Sequence, residues 1–246
     1  METPPSLDRS WPRPSRPWAL AMRWHDLLFM HWPIEPAALK GKVPAELEID
    51  RFDGSAWIAV VPFRMTAVRP RLVPPLPWLS AFPELNVRTY ITRDGKPGVW
   101  FLSLDAARSL AVRAARATFH LPYFHAAMSC RERDGRIDYS SERIHPGARP
   151  AAFAARYRPT GPTFAARPYT LERFLTARSC LYSQSPDGRL WRGEIDHPPW
   201  PLQPAEADVS RNTMLAAHGL PTPSTAPLLH FARRLDVVAW RTQQLA

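Results

Sequence analysis

Lysine is nearly absent from this chain. Of 32 basic residues only Lys40, Lys42 and Lys96 are lysines and the rest are arginine, so there are few amines from which a covalent nucleophile for carbonyl chemistry could be drawn. Cysteine is scarcer still. Cys130 and Cys180 fit no C-x-x-C or zinc spacing, which excludes a disulfide framework and a thiolate metal centre, and they read as buried free thiols of a reducing compartment. None of the 10 glycines falls in a phosphate-cradling loop pattern. The apolar run 56–63 is far shorter than the ~20 residues needed to cross a bilayer. The first residues carry prolines, Glu2 and Asp8 where a signal peptide would carry an apolar stretch. The expectation is a soluble, cytoplasmic protein with no membrane partner.

What is present is arginine, proline and tryptophan. The net charge is +10 and the pI about 10.4, a balance that suits nucleic acid when the cations are clustered. Here they are spread from Arg9 to Arg241, with no long Lys/Arg run, zinc-finger spacing or aromatic RNA-binding motif, so no specific nucleic-acid partner is expected. A hydrophobic content of 45% with 10 tryptophans is ample for one large core.

Residues 1–17 hold five prolines and three arginines without apolar periodicity, and read as a disordered or surface-hugging arm ahead of a single domain over 18–246. Residues 24–33 read as extended, and Pro36 starts a short helix. Asp53-Gly54 marks a turn expected to join 47–50 and 56–68 as a hairpin. Pro70, Pro74, Pro75, Pro77 and Pro83 forbid regular structure over 69–83 and suggest an ordered apolar loop around 74–78. Turn signals at Asp94-Gly95, Asp134-Gly135 and Pro186-Asp187-Gly188 predict three more hairpins. Residues 106–118 have helical composition, Thr170 suits the N-cap of a helix over 171–177, and 228–240 reads as a strand. Many hairpins with few, short helices imply an α+β fold built on a mostly antiparallel β-barrel or sandwich.

Four segments resemble acetoacetate-decarboxylase-like proteins. They are 39–50, with its Val-Pro followed by Leu47-Glu48-Ile49-Asp50; Phe82-Pro83-Glu84; Ser103-Leu104-Asp105 with Ala111-Val112; and Leu121-Pro122-Tyr123-Phe124. The wording Trp24-His25-Asp26-Leu27-Leu28-Phe29, Asn86-Val87-Arg88-Thr89-Tyr90, Pro97-Gly98-Val99-Trp100-Phe101 and 197–202 is similar, more specifically, to the YqjF-like proteins, a family of unknown function grouped with that superfamily. The resemblance covers most of 20–240 and implies an acetoacetate-decarboxylase-like barrel with a small-molecule pocket. In the decarboxylases a lysine that forms a Schiff base is accompanied by an arginine and a glutamate. By alignment the lysine position falls on Tyr123, the arginine on His25 and the glutamate on Glu84, so an acid/base pair is kept while the nucleophile is lost.

These positions define the candidate site. His25, Glu84 and Tyr123 are the expected catalytic residues, with His or Glu as base and the tyrosine hydroxyl donating to a carbonyl or enolate oxygen. Strand alternation puts Tyr123 and His125 on one face, and Glu84, Asn86, Arg88 and Tyr90 on one face of another strand. Asn86 and His125 are candidate substrate contacts, and Arg64 and Arg88 candidate clamps for a carboxylate. Each has a plainer reading: Tyr123 as a core aromatic, His25 as a satisfied structural histidine, Glu84 as an exposed loop residue, the arginines as surface ion pairs. His120 and His125 lack a third ligand at metal spacing, so neither metal nor cofactor is expected. The expected function is a lyase, hydratase or isomerase acting on a small oxo-acid or enolisable carbonyl without a Schiff base. The alternative is a non-catalytic small-molecule binding protein on the same fold. A small-molecule ligand is the expected partner, with self-association left open.

Overall fold

The computed structural model describes residues 9, 11–75 and 80–245. Residues 1–8 of the arm and most of the apolar loop expected around 74–78 lie outside that set. The strands are β1 (Leu20–Ile34), β2 (Glu48–Ile49), β3 (Ala56–Pro70), β4 (Phe82–Arg93), β5 (Lys96–Ala106), β6 (Tyr123–Arg133), β7 (Arg136–Arg143), β8 (Ala152–Pro159), β9 (Cys180–Gln184), β10 (Leu190–Asp196), β11 (Leu202–Asn212), β12 (Leu228–Ala239) and β13 (Gln243–Gln244). Two α-helices, α1 (Ser109–Phe119) and α2 (Leu171–Thr176), and two short 3-10 helices, Pro36–Leu39 and Ala216–His218, interrupt them among the described residues. No helix among the described residues is long and apolar enough to cross a membrane.

Strand pairing closes on itself twice. The series β5-β6-β7-β8-β11-β12-β1-β3-β4 returns to β5, a nine-stranded mixed barrel. A second, smaller ring runs β10-β9-β5-β4-β3-β1-β12 and back to β10. The two rings share the sheet β5-β4-β3-β1-β12, so that sheet is covered on both faces, which is why 27–34 of β1 and 56–63 of β3 read as near-continuous apolar runs instead of alternating ones. One face packs Leu28, Met30, Val60, Leu85 and Val87 against Tyr139, Phe153 and Tyr157 of the larger ring. The other packs Phe29, Val61, Phe63 and Phe82 against Trp200 and Leu202.

The hairpins at Asp94-Gly95, Asp134-Gly135 and 186–188 form as β4/β5, β6/β7 and β9/β10. Asp94, Gly95, Asp134 and Gly135 all take the positive φ that a tight two-residue turn requires. Asp53-Gly54 also turns, with φ of 49° and 78°, but the hairpin expected there does not form. Only Phe52 and Ser55 bridge across it, and β2 pairs instead with β4, Glu48 opposite Thr92. A turn signal fixes the chain reversal, and a better-matched distant edge took the strand. Thr170 caps α2, its Oγ1 accepting from the Arg173 amide at 3.4 Å. The described part of the arm lies on the protein surface. Arg9 pairs with buried Glu194, and Trp11 Nε1 donates to the same carboxylate at 3.0 Å.

The parallel pair β5/β9 helps close the smaller ring, and it depends on Gly98. A Cβ there would lie 2.7 Å from Cys180 Sγ, 2.7 Å from the Tyr182 ring and 2.8 Å from the Cys180 carbonyl oxygen. Backbone cannot yield as a side-chain tip can, so Gly98→Ala is expected to destabilise by about 1–3 kcal/mol, the usual cost of overpacking. Urea denaturation checks this, and an unchanged midpoint would mean that β9 is free to move away.

Candidate functional site

Register decides which expected residues can meet. Directly paired antiparallel residues share a face and neighbours along a strand oppose one another. Phe63 pairs with Glu84 and Val61 with Asn86, Asn86 pairs with Leu104, and Leu104 pairs with Tyr123. Glu84, Asn86 and Tyr123 therefore share the face inside the smaller ring. There the Tyr123 hydroxyl donates to Glu84 Oε2 at 2.9 Å. Tyr123 is brought in by the chain reversal at His120, the C-cap of α1 at φ 53°, and by Arg116, whose guanidinium donates to the Tyr123 carbonyl oxygen at 2.8 Å.

Burial sets the chemistry of the pair. Glu84 is buried, not a loop-mouth carboxylate, and its backbone carbonyl accepts from Tyr139 Oη at 2.6 Å. Desolvation pushes its pKa up to about 8, against the pull of the Tyr123 hydrogen bond, with Asp105 adding a smaller push in the same direction. Burial, and then the neighbouring carboxyl, hold the Tyr123 hydroxyl well above the usual tyrosine range. The result is a carboxyl that changes charge near neutral pH beside a phenol that does not.

His25 and Arg64 do not join them. They pair with each other across β1 and β3, and Arg64 follows Phe63, so both lie on the opposite face of the sheet from Glu84. His25 Nε2 is 2.8 Å from Thr66 Oγ1, and burial together with Arg64 lowers its pKa to about 4. Arg64 Nε and Arg233 Nη1 both donate to buried Asp26, at 2.7 and 2.8 Å. These are structural ion pairs at a kink where Asp26 takes φ 52°. His125 sits at the end of the β5/β6 pairing, its amide donating to His145 Nδ1 at 3.2 Å.

Further along the face of Glu84, the structure brings the expected Asn86, Arg88 and Tyr90 together with two histidines not expected there, His31 and His230. His31 Nε2 lies 2.6 Å from Tyr90 Oη. Burial, then Arg88 and His230, keep the imidazole well below its ordinary pKa. The Arg88 guanidinium stacks on Phe29 and Tyr90, 5.3 and 5.7 Å from the ring centroids. Asn86 Oδ1, Arg88 Nε, His31 Nδ1 and His230 Nδ1 are all buried without a hydrogen-bond partner among the described residues. Each such group costs about 1–3 kcal/mol, a concentration that marks a polar ligand site more than a core. The signal available in sequence was His31 itself, a single ionisable group in the apolar run 27–34. Among the described residues no cluster of His, Cys, Asp and Glu could hold a metal ion.

A groove of about 640 Å³ opens elsewhere. Leu121, Pro122 and Phe124 line it, whereas Tyr123, Glu84 and His25 do not. The groove thus borders the segment that carries Tyr123 from the other side of β6.

Residues 21–236 match the model of DUF2071, a family of uncharacterized conserved proteins. The uncharacterized protein YqjF of Bacillus subtilis (strain 168) is 46% identical over 223 residues, covering 91% of each chain. Among solved structures, the enduracididine biosynthesis enzyme MppR complexed with pyruvate aligns over 94% of this chain and 91% of its own, with TM-score 0.65 and 12% identity. The acetoacetate decarboxylase of Legionella pneumophila subsp. pneumophila str. Philadelphia 1 aligns over 98% and 94%, with TM-score 0.64 and 12% identity. At that identity the likeness is one of fold. The chain belongs to the DUF2071 family, is a relative of YqjF, and carries the acetoacetate-decarboxylase-like fold.

Proposed function

We propose that this protein is a small-molecule enzyme that moves protons on a short oxo-acid or other enolisable carbonyl compound, as a lyase, hydratase or isomerase that forms no Schiff base. The observation that carries the proposal is the buried Glu84–Tyr123 pair, with its carboxyl raised to about 8. A base working near neutral pH is best placed when its pKa lies close to the operating pH. In its ionised form Glu84 takes the proton α to the carbonyl. The C–H electron pair moves onto the carbonyl oxygen, where the Tyr123 hydroxyl donates to the developing enolate. Returning the proton from Glu84 to carbon completes an exchange or an isomerisation. Asn86, two residues and roughly 7 Å along the same face, would hold the substrate's carboxylate. That the fold neighbour MppR is complexed with pyruvate makes short 2-oxo-acids the first substrates to test.

The experiment is deuterium exchange at C3 of pyruvate and 2-oxobutyrate in D₂O, followed by NMR. Wild-type protein is expected to catalyse exchange, Glu84→Gln to lose it by at least ~10²-fold, and Tyr123→Phe to slow it by a similar factor. Borohydride added during turnover is expected to leave the intact mass unchanged, with no adduct on Lys40, Lys42 or Lys96. Exchange undiminished in Glu84→Gln, or a stoichiometric lysine adduct, would refute this reading. The second reading, a non-catalytic small-molecule binding protein, is favoured by the separation of the groove from the Glu84–Tyr123 pair, and absence of exchange would leave it standing.

A further inference from the structure

The groove on the far side of β6 has a composition that the chemistry above does not use. Its volume of about 640 Å³ lies within the range of small-molecule sites. Lys42, Arg116, Arg143 and Arg149 line it, and no aspartate or glutamate among the described residues does. Arg143 is answered from behind by Asp105, which accepts from its Nη2 at 2.7 Å. The other three have no ion-pair partner among the described residues. Lys42 Nζ donates once, to the His218 carbonyl oxygen at 2.6 Å, leaving two of its three donors. Arg116 spends one donor on the Tyr123 carbonyl oxygen, and Arg149 is exposed at the rim.

Three of these cations act on one imidazole. His218, held at 2.9 Å from Ser103 Oγ, has its pKa lowered to about 4, first by burial and then by Arg143, Lys42 and Arg149. Lys42, Arg143 and Arg149 thus meet at one point of the groove, which Arg116 also lines. Trp100, whose Nε1 is tied to the Lys42 carbonyl oxygen at 2.9 Å, and Leu121 add an apolar wall.

We propose that this groove is a binding site for a small organic phosphate, the phosphate group held among Lys42, Arg116 and Arg149 and the organic body lying on Trp100 and Leu121. A monocarboxylate satisfies one guanidinium bidentately. Three uncompensated cations, one of them a lysine acting as a point charge, match the dianion and its three terminal oxygens better. The site is separate from the Glu84–Tyr123 pair and does not depend on the reading of that pair.

The test is calorimetric titration of the full chain with phenyl phosphate at low salt, where exposed charges are least screened. One saturable site is expected. Arg149→Glu, at an exposed position that tolerates substitution, should weaken it at least tenfold, and Lys42→Gln should do likewise. Arg211→Gln, an exposed arginine on β11 outside the groove, and Glu84→Gln should leave the affinity within twofold. No saturable binding, equal affinity in Arg149→Glu, or an equal loss in Arg211→Gln would overturn the site, and phenylacetate binding as tightly as phenyl phosphate would overturn its assignment to phosphates.

Discussion

Asp105→Ala is expected to cost about 3–5 kcal/mol of stability, because it leaves the Arg143 guanidinium as an uncompensated charge in the interior. The pair is sealed. Side-chain exposure is 2% for Arg143 and 0% for Asp105. The guanidinium meets both carboxylate oxygens, at 2.7 to 3.2 Å, and its face lies 4.2 Å from the centroid of the Phe124 ring. Asp105 is the penultimate residue of β5 and Arg143 ends β7, on the two sides of β6, so the pair ties together the strands that flank the one carrying Tyr123. At about 2–4 °C per kcal/mol for a chain of this size, the loss corresponds to a melting temperature lower by roughly 6–20 °C. The double change Asp105→Ala with Arg143→Met removes both charges and should recover most of the loss, since a buried pair replaced by apolar groups is often neutral. A single substitution costing under about 1 kcal/mol would show that water reaches the guanidinium.

The resemblance of the sequence to its family pointed to Glu84 and Tyr123 as partners, and periodicity alone did not. Alternation along β4 correctly grouped Glu84, Asn86, Arg88 and Tyr90, because a strand has a fixed period of two. What alternation cannot supply is which face of a neighbouring strand is presented. His25 was placed by counting along the chain. The kink at Asp26, φ 52°, and the pairing of His25 with Arg64 turn it to the other face, a long-range property of register. Strands β8 and β11 went unread for a different reason. Ala205, Ala207 and Val209 alternate with Glu206, Asp208 and Ser210, a legible period-two pattern, but alanine gives a weak strand signal and Pro204 argued against a strand. Partners such as β2 with β4 and β5 with β9 arise from closure of the two rings, for which no local residue codes.

The most discriminating result concerns the charge of Glu84. A carboxyl whose pKa rises from about 4.5 unfolded to about 8 folded binds its proton more tightly in the native state. Its contribution is therefore fully present below about pH 4.5 and is lost as pH rises toward 8, at about 1.4 kcal/mol per pH unit while the two states differ by one proton. Glutamine resembles the protonated carboxyl in shape and can still accept from Tyr123, so Glu84→Gln should match wild-type stability near pH 4.5 and exceed it by on the order of 3–5 kcal/mol at pH 8 to 9. The buried histidines work with the opposite sign at low pH. Burial lowers the pKa values of His25, His31, His218 and His230, so they favour the folded state as pH rises, but they are common to both proteins and cancel in the difference. Urea midpoints of wild type and variant at intervals from pH 4.5 to 9 give that difference directly. A gap independent of pH, or one that closes as pH rises, would mean that the Glu84 carboxyl is ionised at neutral pH and is not a tuned base. Tyr123→Phe sharpens the test. The Tyr123 hydroxyl donates to the carboxylate and so holds the Glu84 pKa below what burial alone would give. Removing it should raise that pKa further, extend the falling limb beyond pH 8, and shift the rising, base-limited limb of any residual deuterium-exchange profile to higher pH.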